Sequence, residues 1–133
     1  MRAGVNIRSE DGQTMVEFAI VLPVLFLLLF GVIQFGIIFN NYITLTDAVR
    51  AGARKAAVAR NLGASGAVAA AQAAVRASAS DLDKMKLPDP TVTSTWEHAD
   101  PVTVCAIYPY KIDLGVFVAA QGNLSSCTKE RVE

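Results

Sequence analysis

The chain has 133 residues, 53% hydrophobic and 18% charged, and its 12 basic and 12 acidic residues balance to a formal net charge of zero. This composition excludes a disordered, solvating chain, and the lack of a basic excess excludes the footprint of a nucleic-acid binder. The length allows one ordinary domain, or a small domain plus an anchor.

Charge is unevenly placed. Residues 1–17 carry Arg2 and Arg8 against Glu10, Asp11 and Glu17, a net of −1. Residues 18–46 contain no Asp, Glu, Lys or Arg. Residues 47–86 carry a net of +4 and residues 87–133 a net of −3. The +4 segment reads as the wet face of a helix that continues past a membrane.

The apolar run from Phe18 to Phe39 has Gln34 as its one strongly polar side chain. As a helix it spans about 33 Å, against a hydrocarbon core of about 30 Å. It is longer than a secretory h-region, and no Ala-x-Ala site follows before Asn40, Asn41 and Tyr42. The run therefore predicts a retained transmembrane helix. The charge bias taken alone, with Arg50, Arg54 and Lys55 just beyond the span, favours a cytoplasmic C-terminus.

Glu17 stands against the apolar run and wants a partner or a polar edge. Pro23 lies inside the run, removes one backbone donor and predicts a kink. Gly31 and Gly36 are small contact points for another helix.

Beyond the span, Asn40 to Arg60 extends the same helix, with Leu45, Val49 and Ala56 at helical spacing. Ala48, Gly52 and Ala56 form a small-residue stripe. Gly63 to Gly66 reads as a break, and Ala67 to Lys84 as a second helix doubling back along that stripe. Leu87-Pro88-Asp89-Pro90 ends it. Thr91 to Glu97, Val102 to Tyr108 and Leu124 to Val132 read as strands. Ala99-Asp100-Pro101 is the turn between the first two, and Ile112 to Gln121 is open between a short helix and a strand. Tyr108, Tyr110 and Phe117 are expected in the core. The fold class is α+β, with a sheet of about three strands.

Cys105 and Cys127 are the only cysteines and fall in two of these strands. A disulfide between them would contribute roughly 3 kcal/mol in the chain-entropy model. Two buried thiols are the alternative, and a metal pair would need two further ligands. His98 reads as a solvated turn residue. No nucleophile–base arrangement can be built around it, and no phosphate-cradling glycine loop is present. No enzyme activity, cofactor, metal or small-molecule substrate is expected.

The string Gly12-Gln13-Thr14-Met15-Val16-Glu17-Phe18 closes a short polar leader and opens the apolar run. It resembles the class III signal of type IV prepilins and pseudopilins. With Pro23, then Gly31 to Gly36, then Ala48-Val49-Arg50-Ala51-Gly52-Ala53-Arg54, it resembles the TadE-like pseudopilins of tight-adherence (Flp) pilus systems. Ser125 to Glu133 resembles the family's closing strand more weakly. The resemblance implies a leader at 1–12, cleavage between Gly12 and Gln13 by a prepilin peptidase, a transmembrane helix at 13–39 and an extracytoplasmic domain at 40–133. It implies a single-pass protein of the bacterial inner membrane. Its partners would be other pilin or pseudopilin subunits and the inner-membrane assembly platform, for pilus initiation or the tip. Whether the chain enters the fibre stays open.

Chemistry fits that resemblance. A cut after Gly12 frees an α-amine on Gln13, cationic near neutral pH. Glu17 lies four residues on, about 6 Å along a helix. It can pair with that amine or with a neighbouring subunit's. The alternative is an uncleaved, signal-anchored protein whose outer domain binds a ligand or partner.

Overall fold

The computed structural model describes residues 10–113 and 118–133. The leader expectations over residues 1–9, and that for Phe117, fall outside them. The described residues fall into two units, one ending at Gly36 and one running Ile37–Glu133. The fold is α+β: α1 (Glu10–Val58), α2 (Gly63–Ser78), and the antiparallel strands β1 (Thr91–Thr93), β2 (Pro101–Asp113) and β3 (Val118–Arg131) in the order β1-β2-β3.

α1 is 49 residues long and continues through Pro23. One missing N–H is tolerated inside so long a hydrogen-bonded run. The helix ends at Val58, slightly before the expected Arg60. One turn of 3-10 helix (Arg60–Leu62) makes the reversal, and Gly63, at φ 75°, is the first residue of α2. The break thus precedes Gly63 rather than filling Gly63 to Gly66, because one left-handed glycine suffices to redirect the chain.

α2 stops at Ser78, not Lys84. Ser80, Asp81 and Asp83 compete with helix by local hydrogen bonds, and the Met85 N–H donates to Asp83 Oδ1 at 3.1 Å. The chain then returns beside α2. Gln72 Nε2 donates to the Pro90 carbonyl at 3.2 Å, and Arg76 pairs with Asp89. This return buries Leu82 and Leu87, which a continued helix would not bring in together.

The core is the predicted stripe made solid. Leu45, Ala48, Val49, Ala53 and Ala56 of α1 and Ala71 and Val75 of α2 are fully buried. They pack with Val102, Val104, Ala106 and Tyr108 from one face of β2. Close approach is literal at Gly52. A Cβ there would lie 2.3 Å from Val75 Cγ2 and 3.1 Å from the Ala71 carbonyl oxygen.

The strands differ from their expected bounds. β1 ends at Thr93, short of Glu97, because Trp96 (φ 61°) and Ala99 (φ 68°) turn left-handed. That turn brings Trp96 against the core. It also lets the Ala99 N–H donate to the Val132 carbonyl, and the Val132 N–H to that of Asp100, each at 2.9 Å. β2 and β3 run past their expected ends into one long hairpin, so the described parts of Ile112 to Gln121 are strand. Pairing runs from Pro101↔Arg131 to Asp113↔Val118, with a register shift between Ile112 and Asp113. Pro109 masked this extension in the sequence. β1 reaches only Cys105, so β2 beyond it is an edge strand, where Pro is tolerated.

Candidate processing and packing site

Four expected site residues lie on α1. Gly12 and Gln13 are in its first turns, Glu17 one turn on and Pro23 further along. The Gln13 Nε2 amide donates to Glu17 Oε1 at 3.1 Å, an i,i+4 pair. The expectation paired Glu17 with an α-amine released on Gln13. In the uncut chain, the side chain of that same residue already holds the carboxylate.

From Gly12 to Ile33 every residue except Leu22 is exposed. These include Phe18, Ile20, Leu27, Phe30 and Val32. The helix is long and apolar enough to cross a membrane. So large an exposed apolar surface calls for lipid or a packing partner. An added Cβ at Gly31 or Gly36 would meet nothing within 4 Å.

The cysteines lie in the other unit. Cys105 and Cys127 face each other directly across β2 and β3. Their sulfurs stand 2.07 Å apart, at bonding distance, which displaces the buried-thiol alternative. The pair sits on the sheet face opposite the core: Val104 and Ala106 on either side of Cys105 are buried, while Cys127 is exposed. Its place is where the hairpin leaves the core. Tyr108, the last β2 residue in the core cluster, is buried, and Pro109 to Asp113 are not.

Tyr110 is half-buried rather than core, because its ring lies across Gly122, within 3.0 Å of where a Cβ would stand. Around it Pro109, Tyr110, Gln121, Gly122 and Asn123 line a shallow groove of about 390 Å³. None of these side chains is a carboxylate, an imidazole or a thiol. His98 is exposed. Among the described residues, no three His, Cys, Asp or Glu side chains gather as metal ligands would.

Nearly all of α1, with Gly12 and Glu17 at its polar border, is similar to a known family. Residues 12–54 match the family described as TadE-like protein. The match covers about a third of the chain, and it runs from Gly12 to Arg54, through Glu17, Pro23 and the stripe at Ala48 and Gly52. No curated protein and no solved structure matches the chain.

The sequence reading missed two features. The hairpin arm was hidden by Pro109 and by Gly122 in the facing strand. The clamp between Ala99, Asp100 and Val132 depends on left-handed backbone at non-glycine residues, which composition does not signal.

Proposed function

We propose that this chain is a minor pilin or pseudopilin of a tight-adherence pilus, acting in its initiation or at its tip. A prepilin peptidase removes residues 1–12 between Gly12 and Gln13. Residues 13–39 span the inner membrane and residues 40–133 form the extracytoplasmic domain. The observation that carries the reading is the TadE-like match that starts at Gly12, with Glu17 at the polar edge of an exposed apolar helix. After the cut, the new α-amine of Gln13 competes with its own side chain for Glu17. When subunits stack, the carboxylate pairs with an amine in low dielectric, where an unpaired partner is costly. Such a pair marks the register in which the next subunit packs. The function is assembly, and no catalysis, cofactor or small-molecule substrate is assigned to the chain.

One observation favours a second reading, an uncleaved anchor with an outer binding module. The Gly12–Gln13 bond lies within α1, which begins at Glu10, so cutting requires the first turn to unwind. Co-expression with a prepilin peptidase and intact-mass measurement separates the two. The expected product has lost residues 1–12. Gly12→Leu blocks the loss, and Glu17→Ala permits it but impairs assembly. Recovery of chains that still begin at Met1 or Arg2 beside an active peptidase would exclude processing.

A further inference from the structure

We propose that β3 is a docking edge, which takes up an extended segment of a partner protein as an added strand whose carboxylates, at alternate positions, face Lys129 and Arg131. The proposal lies wholly within the unit Ile37–Glu133 and does not depend on how the chain is processed or anchored.

The order β1-β2-β3 leaves β3 paired on one side only. Backbone groups alternate along a strand, so half of its N–H and C=O groups face β2 and half face outward. The end of the strand tells which. The Val132 N–H donates to the Asp100 carbonyl at 2.9 Å, on the β2 side, and the Glu133 N–H turns the other way, to the Ala57 carbonyl at 3.1 Å. Even-numbered residues therefore bond β2, and odd-numbered ones point away from it. Cys105 and Cys127 agree: their Cα atoms are 4.1 Å apart, the close spacing of a pair that is not hydrogen-bonded. Asn123, Ser125, Cys127, Lys129 and Arg131 thus carry outward backbone groups, and all five residues are exposed. Among the described residues, nothing hydrogen-bonds those groups.

The sheet's other edge is guarded. β1 covers β2 only as far as Cys105, which leaves Ala106 to Asp113 open. Pro109 is odd-numbered and stands where an outward N–H would be, and Lys111 and Asp113 set charges beside it. β3 lacks these devices. From Ala120 to Arg131 its register with β2 is unbroken, and from Ala119 to Thr128 it holds no proline and no charged side chain. An unguarded edge of this kind is a template for strand addition.

Charge selects the occupant. Lys129 and Arg131 follow the neutral stretch, with their side chains on the outer sheet face beside Cys127. Neither forms an ion pair among the described residues. Their partners on β2, Thr103 and Pro101, are uncharged, and Glu130 between them lies on the opposite face, half-buried. Residues of an added strand that stand opposite Lys129 and Arg131 share that outer face and are two positions apart. Carboxylates there form two cross-strand pairs, whereas bases meet like charge. The odd-numbered residues of β3 from Gln121 to Arg131 include no acid, so a second copy of β3 supplies no such partner.

The test uses the full chain in detergent micelles and a synthetic peptide, acetyl-Thr-Val-Glu-Val-Glu-Val-Thr-amide, with a control in which lysine replaces both glutamates. In the free chain, amide exchange read residue by residue by NMR should be at least about tenfold faster at Ser125 and Lys129 than at Ser126 and Thr128. The glutamate peptide should slow exchange at the outward amides and bind about tenfold more tightly than the lysine peptide. Lys129→Glu with Arg131→Glu should reverse that preference. Ser125→Pro, which removes an outward N–H and no ladder bond, should weaken binding with helical circular dichroism unchanged. No binding, or equal affinity for the two peptides, overturns the proposal, as does slow exchange at the odd-numbered amides of the free chain. Protection of those amides that grows with the chain's own concentration assigns the edge to a second copy and overturns it too.

Discussion

Gly52 and Gly63 are both glycines for reasons the structure separates. At Gly52 the backbone is helical and the space is missing, since a Cβ would meet Val75 and the Ala71 carbonyl. At Gly63 the space is open but φ is 75°. Gly52→Ala gains about 1 kcal/mol of helix propensity but overpacks a closed contact. The expected net is a loss of about 1–2 kcal/mol, because Val75 is fully buried and cannot swing away. Gly63→Ala is expected to lose about 1–2 kcal/mol from backbone strain alone. Denaturation followed by circular dichroism in detergent checks both. A second substitution, Val75→Ala, should relieve the defect at Gly52 and leave that at Gly63 untouched.

At the scale of elements, the cysteine pair governs the arm more than the core. It lies on the outer sheet face, beside strands already paired through thirteen residues of β2. The expected result of Cys105→Ser with Cys127→Ser is lower thermal stability, with helical circular dichroism unchanged. The chain-entropy figure of about 3 kcal/mol is an upper bound, because the unbonded hairpin keeps its ladder. Amide exchange should rise most from Pro109 to Asn123 and least from Leu45 to Ala57. Equal loosening of both regions would instead place the pair's effect in the core. Much of this architecture was legible beforehand. The apolar run is helical, the four-residue stripe of Ala48, Gly52 and Ala56 is buried, and Val102 to Tyr108 is strand, each as expected. Less legible were boundaries set by tertiary partners. Nothing local to Ser78 says that Gln72 and Arg76 will draw Pro90 and Asp89 back along α2. Nothing local to Trp96 says that a left-handed turn is held by Val132. For the site, the hydrogen bond from the Gln13 side chain to Glu17 was not legible in the sequence.

For the whole molecule, two signals disagree about which side of the membrane holds the domain. Counting charges puts Arg50, Arg54 and Lys55 on the cytoplasmic side. The proposed function argues the reverse, and it suits Cys105 and Cys127, which face each other across β2 and β3 and would pair in an oxidising compartment but stay reduced in a cytosol. The structure weakens the charge signal. Those three side chains are exposed on the wall of a folded domain whose core starts at Leu45, not on a short flexible loop. Arg50 also pairs with Asp47 at 3.3 Å, which offsets one of the charges. The expected topology therefore has the domain outside. In cells whose outer barrier is removed, added trypsin should cut within residues 40–133 and leave a fragment containing the span. A membrane-permeant thiol reagent applied without reductant should leave Cys105 and Cys127 unlabelled. A domain resistant to trypsin until the inner membrane is lysed, with both cysteines labelled, would reverse the topology and leave the charge rule standing.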